Sequence, residues 1–254
     1  MAEHNSSRAA ESGRVGGRAA ERPQLPRRFY TSVEVEQRDG SWYVLLDMRQ
    51  LRSPGKHPVA VPSQALGAAL ADEWDAQGDV IDPAQMPLTR IINTALDGVA
   101  DNINAVRDEI ARFAGDDLVC YRAAHPEELS SRQQAAWDSP LTWLAETHGV
   151  ELKTAVGIMP VAQSASDLQK FRRLLDVYDA LQLAALHTVV TLMSSAVLGH
   201  AILAKRLSPE EAWAAAHLDE DWQIAQWGRD AEAEARRAFR WREFQAAMRI
   251  MDAL

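Results

Sequence analysis

Residues 180–204 read ALQLAALHTVVTLMSSAVLGHAILA, and no formally charged residue lies between Asp179 and Lys205. The fold turns on whether this stretch crosses a bilayer or fills a protein core, because a span needs about 20 consecutive apolar residues. Gln182, His187, Thr188, Thr191, Ser194, Ser195 and His200 interrupt the apolar run, and no charged interfacial flank sets it off. A charged amphipathic helix also precedes it over residues 165–180, with Leu168, Phe171, Leu175 and Tyr178 at helical spacing. The stretch therefore reads as a central core helix, with Ser194, Ser195 and Gly199 small enough for neighbouring helices to approach closely. No membrane insertion is expected.

Working outward toward the N-terminus, helical signal extends back to about Pro126: residues 126–147 carry Leu129, Trp137, Leu141 and Leu144, and Val150–Val161 is extended. Upstream of that the pattern changes. Val33 and Val35 alternate with Glu34 and Glu36, Asp39-Gly40 supplies a turn, and Trp42, Val44 and Leu46 alternate again. That is a hairpin over Thr31–Leu46, and Val59-Ala60-Val61 adds a short strand. Ser63 opens a helix reaching about Gln77, followed by helices over Leu88–Leu96 and Asp101–Phe113. Leu118-Val119-Cys120-Tyr121 fits a buried strand or a helix end, and periodicity does not choose between them. The fold class is thus α+β: a β-rich N-terminal part with helices, over residues 28–125, then a mainly helical domain over 126–254, an orthogonal helix bundle. Residues 1–27 have almost no large apolar side chains and read as a disordered tail.

Toward the C-terminus, Ser208-Pro209-Glu210-Glu211 carries the signals of a helix start: a cap, a proline at the first position and a glutamate three residues after the cap. Gly228 is a fitting stop. On one continuous helix between them, Trp213, Ala216, Ile224 and Trp227 share a face with Glu220 in its middle, while Leu218, Trp222 and Ala225 form a second apolar face. A carboxylate inside an aromatic stripe calls either for a partner within the protein or for a surface that meets another protein. The last helix, about Arg229–Met251, sets Ala231, Ala235 and Ala238 on one side and arginines on the other.

The formal net charge of −9 argues against a general nucleic-acid binder, since neutralising phosphates needs a basic surface. Residues 1–28 hold six arginines against three glutamates, a net of +3, which leaves −12 for the rest. One cysteine allows neither an internal disulfide framework nor a four-cysteine zinc site. The seven histidines never fall three or four residues apart, so no helical metal pair exists by spacing. No phosphate loop is present either. Catalytic residues, metal ligands and cofactors are accordingly expected to be none. The competing class is a small hydrolase using Cys120 or a carboxylate pair such as Asp116-Asp117 or Asp72-Glu73, but the apolar neighbours of Cys120 suggest an inert thiol. Eight tryptophans recur beside carboxylates, at Glu73-Trp74-Asp75, Trp137-Asp138 and Asp221-Trp222.

Those segments, with Pro87-Leu88-Thr89, Asn93-Thr94-Ala95-Leu96-Asp97, Asp117-Leu118-Val119-Cys120-Tyr121-Arg122, Gln133 ahead of Trp137-Asp138, and Leu218-Asp219-Glu220-Asp221-Trp222-Gln223-Ile224 ahead of Trp227-Gly228, resemble the ATP synthase F1 complex assembly factor 2 family. They occur in family order over about residues 28–230. Two departures are visible: Ser139 stands between Asp138 and Pro140, and Asp219 and Asp221 stand where glutamates are common. The resemblance implies a β-rich N-terminal part, a helical C-terminal domain and no catalysis. It implies a chaperone that holds the unassembled alpha subunit of F1-ATPase and shields its interface until the beta subunit replaces it. An acidic residue of the C-terminal motif, matched here by Glu220 or Asp219, is implied to matter, and Trp213, Trp227 and Gln223 are the further partner-binding candidates. A monomer in a bacterial cytoplasm is expected, or in the mitochondrial matrix if the source is eukaryotic.

Overall fold

A computed structural model describes residues 24–253 of the chain. The hairpin forms where alternation and turn chemistry agree. Strand β1 (Val33–Arg38) pairs antiparallel with β2 (Ser41–Leu46), Val35 opposite Val44, around Asp39 and Gly40, both at positive φ as this tight turn demands. The other edge of β2 takes two short strands, β3 (Arg49–Gln50) and β4 (Ala60–Val61), which completes a four-stranded sheet. Helix α1 (Gln64–Asp75), capped by the Ser63 hydroxyl, lies on this sheet. A Cβ on Gly67 would stand 3.2 Å from both Trp42 and Val35, so glycine lets the helix sit low against the strands.

Helix α2 (Pro87–Thr94) continues through a π-helical turn, Ala95–Val99, toward α3 (Ile103–Gly115). Two carboxylates fix this region. Glu73, near the end of α1, accepts from the Leu88 and Thr89 amides at 2.7 and 2.8 Å and so caps α2. Asp97 accepts from Ser53, the Gly55 amide and His57 at 2.5, 2.8 and 2.8 Å, which pins the loop after β3 to the π turn and holds the Asp97 carboxyl below its ordinary pKa. The Leu118–Cys120 segment is a single 3-10 turn leading into β5 (Tyr121–Arg122), so both sequence alternatives were half present. Beyond it come α4 (Glu127–His148), β6 (Ala155–Val156, parallel to β5) and α5 (Ala165–Leu174). The α+β class expected from the sequence is the one found, with the four-stranded sheet in the N-terminal part and helices making up most of the remainder. Of the tail expected over residues 1–27, residues 1–23 lie outside the described residues, while at its end Pro26 accepts from the Ile81 amide and Arg27 forms an antiparallel bridge with Val80, so this part is ordered against the loop after α1.

The uncharged stretch is not one helix. It divides into α6 (Ala180–Met193) and α7 (Ala196–Leu203), and among the described residues no helix is long and apolar enough to cross a membrane. Ser194 adopts a left-handed conformation at φ 53°, and Ser195 caps α7 by accepting from the Leu198 amide at 3.0 Å. The two serines that read as small packing residues are thus a corner. The corner is gripped from outside: the wholly buried Asp117 accepts from the Val197 and Val119 amides at 3.0 and 3.2 Å. Burial pushes its carboxyl up to about 6 despite those donors. Gly199 then lets α7 fold against α6, since a Cβ there would lie 2.8 Å from Val190. Around α6 pack α2, α3, the π turn and the final helix α10 (Ala231–Asp252), and one apolar core runs without a break from Tyr30 to Ile250.

Trp74 lies at the edge of that core, its ring 5.6 Å from that of Tyr30, whose hydroxyl donates to the Trp74 carbonyl at 2.6 Å. Trp74→Arg should cost about 2–4 kcal/mol, because it removes a packed ring and puts a cation in its place. A melting temperature within a degree of the parent would show that the ring does no packing.

His200 gives a pH dependence with a definite sign. It is buried beside His148, Trp143 and Phe171, and burial drives its pKa down to about 4. Its contribution is complete above the unfolded value near 6.5 and is lost as pH falls through 4. Asp117 works the other way, its contribution complete below the unfolded value near 3.8 and lost as pH rises through 6. The parent therefore masks both effects between pH 4 and 6. Relative to the parent, His200→Gln should gain up to about 3 kcal/mol on going from pH 7 to 4, measured by urea unfolding. A stability difference that stays constant with pH would contradict this.

Candidate partner-binding groove

Ser208 and Glu211 cap each other reciprocally at 3.2 and 2.8 Å, as the sequence implies, and open α8 (Pro209–Ala216). The helix expected to run on to Gly228 does not. At His217 the backbone leaves helical geometry (φ −108°, ψ 16°), and a separate helix, α9, covers Leu218–Trp227. The His217 ring stacks on Trp213 at 3.9 Å and its Nδ1 lies 2.9 Å from the Trp213 carbonyl, so the side chain takes part in ending α8. Burial holds the His217 pKa below its ordinary value. Asp219, Glu220 and Asp221 then fill the first turn of α9, where carboxylates are favoured by the helix dipole.

This break overturns the single-helix wheel. Trp213 is 7% exposed and packs on Trp241 and Phe244, whereas Trp227 is 79% exposed. Glu220 is no carboxylate inside a buried stripe; half of its side-chain surface is open. The second face holds only in part: Trp222 is buried under the Arg132 guanidinium, Leu218 is half-buried and Ala225 is exposed. Ala231, Ala235 and Ala238 of α10 are exposed as well, and this helix buries instead Phe244, Ala246, Ala247, Met248 and Ile250.

Gly228, at φ 87°, ends α9 and lets the chain reverse, and Asp230 caps α10 by accepting from the Ala233 amide at 3.1 Å. Between α9 and the overhanging first half of α10 lies a groove of about 380 Å³, with Ile224, Trp227 and Ala233 among its apolar lining and Glu220, Gln223 and Arg240 among its polar lining. Three of the five candidates therefore come together here: Glu220, Gln223 and Trp227. Trp213 lies beneath, in the core. Asp219 faces the other way and accepts from Gln133 at 2.8 Å, the same buried Gln133 that receives the Ala123 amide. It anchors α9 to α4. Asp221 is paired with Arg237.

The α10 wall was not among the sequence candidates. Its signal was the arginine spacing, Arg229, Arg236, Arg237 and Arg240, opposite the acidic turn of α9. Arg240 donates to the Leu192 carbonyl near the end of α6 and approaches Glu220 at 3.6 Å, so it joins the groove to the core helix.

Of the residues of the competing hydrolase reading, Asp72 is exposed, and the others have structural tasks. Cys120 is buried and its thiol is pushed up to about 12, mainly by burial. Asp117 grips α7, Asp116 accepts from the Tyr121 hydroxyl at 2.6 Å, and Glu73 caps α2. Among the described residues no group of three or more histidine, cysteine, aspartate or glutamate side chains is placed to hold a metal ion.

The fold and groove describe an α+β protein with a small antiparallel sheet, a helical body and an exposed aromatic groove near its C-terminus. Known proteins carry the same architecture. The sequence profile of the family described as ATP12 chaperone protein matches residues 27–145. The crystal structure of Atp12 from Paracoccus denitrificans superposes with a TM-score of 0.80 at 40% identity, covering 90% of this chain and 98% of that one. The Atu1473 protein of Agrobacterium tumefaciens superposes at 0.84 with 44% identity, over 90% and 86% of the two chains. The mitochondrial protein atp12 of Schizosaccharomyces pombe is 25% identical over 214 residues, 80% of this chain and 74% of that protein. The chain belongs to the ATP12 chaperone family, which serves assembly of the F1 part of ATP synthase.

The buried thiolate-disfavouring site of Cys120 yields a direct check. In the native protein a water-soluble thiol reagent should label Cys120 at least about a hundredfold more slowly than in denaturant, since only the thiolate reacts and burial suppresses it. Rapid native labelling would reopen the reading of Cys120 as a nucleophile.

Proposed function

We propose that this chain is a binding chaperone without catalytic activity that holds the unassembled alpha subunit of F1-ATPase, and that the groove between α9 and α10 is part of the contact. The observation that carries this reading is Trp227. A tryptophan 79% exposed beside Ile224 in an open groove keeps apolar surface in water that the fold itself does not use. Such aromatic surface is the usual anchor of a protein–protein contact. Membership of a chaperone family supports a protein client, and the buried state of Cys120 and Asp117 supports a non-catalytic role. On this reading the groove covers alpha-subunit surface that the beta subunit later covers, so that beta displaces the chaperone. The protein acts as a monomer, in the bacterial cytoplasm, in keeping with its Paracoccus and Agrobacterium relatives.

The test is capture of purified alpha subunit during its dilution from denaturant. Trp227→Ser should leave the melting temperature within about 2 °C of the parent, because an exposed side chain contributes little to stability. It should weaken capture by roughly tenfold, as loss of an aromatic anchor does. Val177→Ser, another exposed apolar position at 78%, serves as the control and should capture normally. If Trp227→Ser suppressed aggregation as well as the parent, the groove would not be the contact.

A further inference from the structure

In and beside the groove, the acidic side chains differ in how far their acceptor capacity is used. Asp230 accepts from the Ala233 amide at 3.1 Å, Glu234 from Arg229 at 2.9 Å, and Asp221 from Arg237. Glu220 is the exception: among the described residues no donor stands within hydrogen-bonding reach of its carboxylate. Its nearest cation is Arg240, whose Nη1 stands 3.6 Å away as an ion pair without a hydrogen bond, while Nη2 donates to the Leu192 carbonyl. The carboxylate is half exposed, on the same helix face as Ile224 and one further turn from Trp227.

We infer that the groove recognises a segment of the partner protein that presents an arginine or lysine within about one helical turn of a large apolar side chain. This rests on the reading of the groove as a client contact and specifies which client chemistry it takes. The apolar side chain covers Ile224 and Trp227, and the cation completes the hydrogen bonding of Glu220. A purely apolar segment laid in the groove strips water from Glu220 and returns no donor, which costs free energy. An acidic segment meets a like charge. A cation avoids both: of the arginines on the opposite wall, Arg237 and Arg236 are paired with Asp221 and Glu232, and Arg240, itself 3.6 Å from Glu220, leaves that carboxylate's hydrogen-bonding positions to share with the incoming cation. Arginine suits the place better than lysine, because its planar fork bonds a carboxylate through two donors and stacks on an indole face.

The probes are two synthetic amphipathic helical peptides that are identical except at one position, arginine in one and uncharged citrulline in the other, a turn from a leucine. Their binding to the full chain is followed by fluorescence anisotropy at low and high salt. The arginine peptide should bind the parent roughly five- to tenfold more tightly than the citrulline peptide at low salt, with the gap shrinking as salt rises. Glu220→Gln should abolish the gap, and Trp227→Ser should weaken both peptides. Equal affinity of the two peptides for the parent, a gap that survives Glu220→Gln, or no binding of either peptide overturns the inference. Alpha-subunit capture by the same variants separates the two claims. Capture lost with Trp227→Ser but kept with Glu220→Gln leaves the client site standing and removes only its charge selectivity; capture kept by both removes the site itself.

Discussion

The helical body depends on one buried carboxylate. Asp117 receives the Val197 amide in the first turn of α7 and the Val119 amide while wholly enclosed, and so ties the end of the N-terminal sheet-bearing chain to the corner between α6 and α7. A lone buried carboxylate is costly; several amide donors and a helix N-terminus offset that cost. Without this grip the corner at Ser194 and Ser195 would leave helix-terminal amides unsatisfied in the core. With it, an uncharged stretch long enough to suggest a membrane span becomes two short helices folded on each other, with Gly199 at their closest approach.

The groove follows from how that core is covered. The second half of α10 buries Phe244, Ala247 and Ile250 in the core, with α6 and α2 packed on this helix, while the first turns, before Arg240, extend beyond the core and face α9. Asp219 fixes α9 to α4 through Gln133, and Arg240 reaches from α10 to the end of α6. The open side of α9, with Gln223, Ile224 and Trp227, is what remains unpaired once those anchors are satisfied. The acidic turn is thus divided residue by residue: Asp219 and Asp221 are hydrogen-bonded within the fold, while Glu220, half exposed and 3.6 Å from Arg240, faces the groove.

Much of this could be read from the residues. The hairpin declared itself because alternation and Asp39-Gly40 are local signals, and the cap at Ser208 and Glu211 lies within one turn of chain. The breaks at Ser194 and His217 carry no proline or glycine to signal them. The first is gripped by a tertiary partner, Asp117, which is distant in sequence; the second is made by the His217 ring folding back on Trp213 one turn earlier, a local contact that apolar periodicity does not mark. Missing the second break placed Trp213 and Trp227 on one face, although one is core and the other solvent-exposed. The acidic triplet at residues 219–221 was the available clue, since carboxylates gather in a helix's first turn. Of the tryptophans beside carboxylates, two serve the fold: Glu73, next to Trp74, caps α2, and Asp138 pairs with Arg122 over the Trp137 ring.

If the chain meets the unassembled alpha subunit of F1 through α9 and the first half of α10, amide hydrogen exchange of this chain, free and in complex with that subunit, will register it. Exchange should slow over residues 218–240 in the complex, with α6 and α7 unchanged because they are already covered. Protection confined to other elements, with residues 218–240 exchanging as in the free protein, would contradict it.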